Sequence, residues 1–132
     1  VILAGRKIND YMLNYTIKEL SNFLNNKKKS LKNSKIMIVG LTYKAGVADL
    51  RNSLSFKIFI KLKKYNNKIF GCDPFVDEKT KKIYKICNKI SNNKEFDVII
   101  FLLYHDKFKK IFKNIISSKN RTKVLDPFNY YS

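Results

Sequence analysis

Two cysteines, one histidine and four glycines are spread through 132 residues. With so little cysteine and histidine, no Cys/His quartet of the kind that holds structural zinc can be assembled. Cys72 and Cys87 are not at metal-ligand spacing, and they read as two reduced thiols of a cytoplasmic protein rather than as a disulfide. Neither phosphate-cradling glycine pattern, G-x-G-x-x-G or G-x-x-x-x-G-K-[ST], is present, so backbone glycines do not supply a dinucleotide fingerprint here. No apolar run approaches the roughly 18–20 residues of a membrane span, and no signal-peptide pattern opens the chain. The sequence shows neither a carboxylate pair nor a hydroxyl nucleophile beside a base, so no catalytic residue and no metal ligand is assigned.

Acidic residues and arginine are also scarce. Ten acids face 28 basic residues, for a formal charge of +18. Only Arg6, Arg51 and Arg121 among the basic residues are arginines. A charge of this size raises the question of a nucleic-acid partner. However, the lysines run from Lys7 to Lys123 rather than gathering on one element, and the accompanying asparagine, isoleucine and tyrosine fit AT-rich codon drift onto surface positions. The aromatic residues fall at core spacing and form no base-stacking platform. A solvated lysine-rich surface is the favoured reading, with neither nucleic acid nor membrane as partner. Only NNKKKSLKNSK, residues 25–35, is a dense basic run, and it reads as a connecting loop.

What is present is an alternation of periods. Leu3, Ile8, Met12, Tyr15, Leu20 and Leu24 recur at helical spacing over 1–24. No capping residue precedes Val1, so the reading at this point is of a C-terminal piece whose N-terminal part lies elsewhere. Such a helix would be poorly covered in isolation and would self-associate. Residues 35–40, 67–74, 96–104 and 122–127 are short apolar runs of strand form; 53–65 and 106–118 are amphipathic helices. Residues 77–90 suggest a short helix turning into an extended piece near Ile83–Cys87. Strands apolar on both faces, alternating with helices, imply an α/β fold: an open, Rossmann-like parallel sheet covered on both sides. Ligands bind such sheets off the carboxyl ends of the strands, at a topological switch point.

The stretch GLTYKAGVADLRNS, 40–53, leaves the first strand at that edge. Lys44 brings a compact positive charge there. Asp49 is a candidate cap for the following helix, which would put Arg51 in the first turn, where free N–H groups and the helix dipole already attract anions. A guanidinium matches phosphate oxygens two at a time, which an ammonium cannot. An ion pair between Arg51 and Asp49, or another carboxylate, accounts for the arginine equally well. His105 reads as a loop residue beside the helix start at Asp106.

The ordered set VILAGRKINDYM, IMIVGLTYKAGVADLRNS, GCDPFVD, FDVIIFLLYHDKF and VLDP resembles the UDP-glucose/GDP-mannose dehydrogenase family across essentially the whole chain. The ILAGR-x-IND-x-M form looks most like the branch acting on UDP-N-acetylhexosamines. The resemblance implies an enzyme that oxidises a nucleotide sugar at C6 to the uronic acid with two NAD per turnover. It also implies a division of the chain: 1–25 as the end of a central helical dimerisation domain, 26–34 as a basic linker, and 35–132 as the nucleotide-sugar-binding domain. Lys44 matches the family lysine that contacts substrate, and Arg51 matches the arginine that reaches across to NAD. Arg6, Asn9 and Asp10 match the R-x-I-N-D pattern without an assigned role, and Asp73-Pro74 matches a turn after the second strand. The implied partners are a UDP-sugar, the N-terminal domains and a second copy joined through the central helix. Neither cysteine lies in the family's catalytic motif, so this portion would be inactive alone. Where many members carry D-G-R-N after the last strand, this chain has Asp126, Pro127, Phe128 and Asn129. A nucleotide-binding module that catalyses nothing is the alternative.

Overall fold

The computed structural model describes residues 2–42, 53–90, 96–118 and 123–131, with side chains from residue 10 onward. Five strands form one parallel sheet: β1 (Ile36–Val39), β2 (Ile69–Cys72), β3 (Ile86–Cys87), β4 (Val98–Phe101) and β5 (Val124–Leu125), in the order β3-β2-β1-β4-β5. Four helices accompany it: α1 (Ile2–Asn26), α2 (Leu54–Tyr65), α3 (Glu78–Tyr84) and α4 (Asp106–Ile116). Every expected strand and helix is present, including the short helix followed by a short extended piece in 77–90. The ends are trimmed by a few residues, as is usual where chain termini of elements fray.

The period of two along each strand divides the core. Ile36, Ile38, Val98 and Ile100 point to one face with Ile58, Phe59 and Leu62 of α2. Met37, Val39, Ile99 and Phe101 point to the other, against Phe108, Phe112 and Ile115 of α4. All four residues of β1 and of β4 are buried, as strands covered on both faces must be. From β1 the chain winds toward β3 over one face; from β4 it winds toward β5 over the other. The reversal lies between β1 and β4, and their carboxyl ends open there.

α1 departs from its expected exposure. Thr16, Leu20 and Leu24 are fully buried, in the same core as Ile36, Val98 and α2. The reason is geometric: α2 covers the β1–β2 side of its face, and the remaining apolar surface toward β4 and β5 needs a second helix. Tyr15 completes the seam by packing on Phe128 at 6.0 Å and donating to the Pro127 carbonyl. The expectation of a poorly covered helix therefore fails for its C-terminal half.

The basic run is a loop, as expected, and it is pinned at the amino edge of the sheet. Asp97 accepts from the Lys29 ammonium and from the Lys35 N–H at 2.8 Å. Its partial burial would raise the carboxyl pKa, but these bonds prevail and hold it below the usual carboxylate range. The Asn66 amide donates to the Leu31 and Ser34 carbonyls.

Because α1 is core, Leu24→Ala should lower unfolding stability by about 2–5 kcal/mol, the usual cost of such a cavity. Thermal melts of the two proteins check this; an unchanged midpoint would mean that α1 does not pack on the sheet.

Candidate functional site

The carboxyl edge is organised around one carboxylate. Asp73 directly follows β2 and is fully buried. Its Oδ2 accepts from the Leu41 N–H at 2.8 Å and from the N–H and hydroxyl of Thr42, both at 2.9 Å. Oδ1 accepts from the Phe75 N–H at 2.8 Å. These bonds fix the direction in which the chain leaves β1 and form the turn at Pro74. The sequence suggested only the turn.

Gly40 precedes this cradle with φ +92°, and a Cβ there would sit 2.8 Å from that of Leu103. The glycine is thus required both by its backbone conformation and by the close approach of the segment that follows β4.

Beyond Thr42 the chain returns at Ser53. This residue caps α2: its hydroxyl accepts from the Phe56 N–H at 3.2 Å and donates to the Leu41 carbonyl. Ser55 donates to the Leu102 carbonyl at 3.2 Å. The two serines tie the start of α2 to the ends of both β1 and β4. The cap of α2 is therefore Ser53 and not Asp49, so Arg51 precedes the cap rather than standing in the first turn of α2. Lys44, Asp49 and Arg51 themselves lie outside the described residues, between anchors that are fixed.

On the β4 side, the Tyr131 hydroxyl donates to the Leu103 carbonyl and accepts from the His105 N–H at 3.0 Å. Burial, with Asp126 nearby, pushes its phenol pKa up to about 12, so it remains a neutral donor. Asp126 holds the tail in place by accepting from the N–H groups of Tyr130 and Tyr131. His105 caps α4, accepting at Nδ1 from the Lys107 N–H, as its position beside the helix start suggested.

A cavity of about 170 Å³ lies between these anchors. Ser53 and Ser55, Leu102 and Leu103, and Phe128 and Tyr130 line it, with Met12 closing it from α1. It combines apolar and aromatic walls with the amino end of a helix, a combination suited to a flat ring carrying an anionic group. Among the described residues, no group of three or more His, Cys, Asp or Glu could hold a metal ion. Asp10 is exposed on α1, while the side chains of Arg6 and Asn9 are outside the described residues. Sequence reasoning missed Ser53, Ser55 and Tyr131. For the serines, the S-x-S spacing at the head of an amphipathic helix was an available signal.

Residues 37–132 match the UDP-glucose/GDP-mannose dehydrogenase family, UDP binding domain. The chain is 34% identical over 114 residues to the UDP-N-acetyl-D-glucosamine 6-dehydrogenase of Salmonella typhi, covering 84% of this chain and 27% of that protein. It is 34% identical over 115 residues to the UDP-N-acetyl-D-mannosamine dehydrogenase of Methanococcus maripaludis, covering 87% and 26%. The structure of the UDP-D-ManNAc dehydrogenase from Pyrococcus horikoshii superposes with a TM-score of 0.70 at 22% identity, over 98% of this chain and 30% of that one. That of the UDP-N-acetyl-mannosamine dehydrogenase from S. aureus gives 0.69 at 24% identity, over 96% and 28%. At these identities the two structures establish a shared fold. The chain spans less than a third of the length of each of these relatives. By the match over 37–132 and the identity to its relatives, it belongs to the UDP-glucose/GDP-mannose dehydrogenase family, in the UDP binding domain.

Proposed function

We propose that this chain is the nucleotide-sugar-binding portion of an NAD-dependent UDP-sugar 6-dehydrogenase, a cytoplasmic enzyme. Residues 35–132 form the binding domain, 26–34 a basic linker, and 1–25 the end of a helical domain through which two copies pair. The observation that carries the reading is the crevice at the switch point, where the start of α2 is tied to the ends of β1 and β4. The diphosphate would lie at the amino end of α2, and the uridine against the apolar wall of the cavity. The relatives act, by their names, on UDP-N-acetylhexosamines, and the sugar is taken from that class.

Within this scheme Lys44 contacts the nucleotide sugar, and Arg51 reaches NAD held mainly by another part of the enzyme. NAD supplies the hydride acceptor when bound. This chain's own residues bind and orient: Asp73, Ser53 and Ser55 fix both ends of the segment that carries Lys44 and Arg51. A module that binds nucleotide without catalysis would share the crevice, but it would gain nothing from Arg51.

UDP titrated calorimetrically into the 132-residue chain should bind, and Asp73→Asn should weaken that binding at least tenfold. Asparagine has one oxygen and an NH2 that cannot accept, so one set of the Asp73 bonds is lost and the edge loses its fixed direction. The same substitution should reduce stability by about 1.5–3 kcal/mol, the scale of a charge-assisted hydrogen bond. No heat with millimolar UDP would contradict the reading.

In the longer enzyme, Lys44→Ala should raise the KM for the nucleotide sugar about ten- to a hundredfold, and Arg51→Ala should do the same for NAD. Arg51→Lys should recover only part, because a point charge does not reproduce a two-point contact. If Arg51 instead makes a structural ion pair, Arg51→Ala would lower the Tm and leave the KM for NAD unchanged.

A further inference from the structure

We propose that Cys87 and Cys72 form an oxidation-responsive dithiol, in which a hydroperoxide converts Cys87 to a sulfenic acid and Cys72 closes a disulfide between β3 and β2. The two residues are direct partners in the parallel pairing of these strands, and both side chains belong to the same face of the sheet. Neighbouring strands lie about 4.8 Å apart, within the roughly 4.4–6.8 Å between Cα atoms that a disulfide spans. Both thiols are free.

Their environments divide the labour. Cys72 is fully buried. Cys87 is half-buried and lines a cavity of about 200 Å³, with Lys35 and Lys85 among its walls, that gives a small oxidant access. The Cys87 thiol donates to the Gly71 carbonyl at 3.4 Å. The neighbouring Cys72 thiol favours the Cys87 thiolate and lowers the Cys87 pKa, while that same neighbour and burial raise the pKa of Cys72. Cys87, the more accessible and the more readily ionised of the two, is therefore the nucleophile, while Cys72 keeps its proton. β3 is only two residues long and lies at the sheet edge, so it can give slightly as the sulfurs close.

The steps balance. The Cys87 thiolate attacks one peroxide oxygen, the O–O bond breaks, and the departing alkoxide or hydroxide takes a proton from solvent. The sulfur has lost two electrons to the peroxide and carries OH. The Cys72 sulfur then attacks that of Cys87, the S–O bond breaks, and the leaving hydroxide takes the Cys72 proton to form water. A dithiol reductant reverses the result.

The test uses the 132-residue chain with hydrogen peroxide at neutral pH, followed by alkylation under denaturing conditions and intact-mass measurement. The expected product is a monomer lighter by two hydrogens that takes up no alkyl group and regains both on reduction. Cys72→Ser should yield a dimedone adduct on Cys87, and Cys87→Ser should yield none on Cys72. As a check that needs no variant, native alkylation of Cys87 should be at least tenfold faster than that of Cys72, with the lower pH midpoint of the two. The proposal is overturned if peroxide leaves both thiols open to alkylation, if it gives only sulfinic acid or an intermolecular dimer, or if Cys72 labels as fast as Cys87. Nucleotide binding enters none of these readouts, so the outcome is independent of the function proposed above.

Discussion

A carboxylate with no water around it must satisfy its oxygens from the protein, and Asp73 does so entirely from the loop that leaves β1 and the turn that leaves β2. The bond to Leu41 spans 32 residues of sequence and locks the carboxyl ends of neighbouring strands into one arrangement. The rest of the carboxyl edge depends on that lock. Leu41 enters the core, its carbonyl receives the Ser53 hydroxyl, and α2 begins where that bond puts it. The segment carrying Lys44 and Arg51 is thus held at both ends by short-range chemistry with long sequence separation. Removing the carboxylate would leave buried N–H groups without acceptors, a cost that a well-packed apolar side chain at this position could not offset.

The two edges of the sheet serve different ends. At the amino edge, Asp97 fastens the basic loop to the starts of β1 and β4, and Asn66 fastens it to the end of α2 ahead of β2. This edge is lysine-rich and holds a polar cavity of about 370 Å³ lined by Lys28, Lys29, Ser30, Asn33, Ser34 and Asp97. At the carboxyl edge the serines, Asp73 and Tyr131 spend their bonds on strand ends, and the space left between them is open and partly aromatic.

The strands and helices were legible in the sequence because each has a clear period, and strands buried on both faces leave near-continuous apolar runs. Even the short α3–β3 unit showed in residues 77–90. What could not be read were choices made by distant partners. Asp49 and Ser53 are both competent caps, and only the Leu41 carbonyl decides for Ser53. The D-P dipeptide after β2 announces a turn but not four accepted bonds. The helical period of 1–24 is equally consistent with burial against its own sheet or another chain; Leu20 and Leu24 are settled by the uncovered apolar surface beside α2. Lys44 and Arg51 were found through family resemblance and local chemistry, and they lie outside the described residues.

The central claim is that the crevice at the carboxyl edge, rather than the lysine-rich remainder of a chain with charge +18, is where a uridine nucleotide binds. Backbone amide chemical shifts of the labelled chain, followed as UDP is added, test it directly. The account predicts saturable shifts concentrated at Leu41, Thr42, Ser53, Ser55, Leu103 and Tyr130, with Lys29, Lys35 and Asp97 unmoved. Shifts spread over the amino edge that vanish with added salt, with Thr42 and Ser55 silent, would show an anion condensing on lysines and would contradict it.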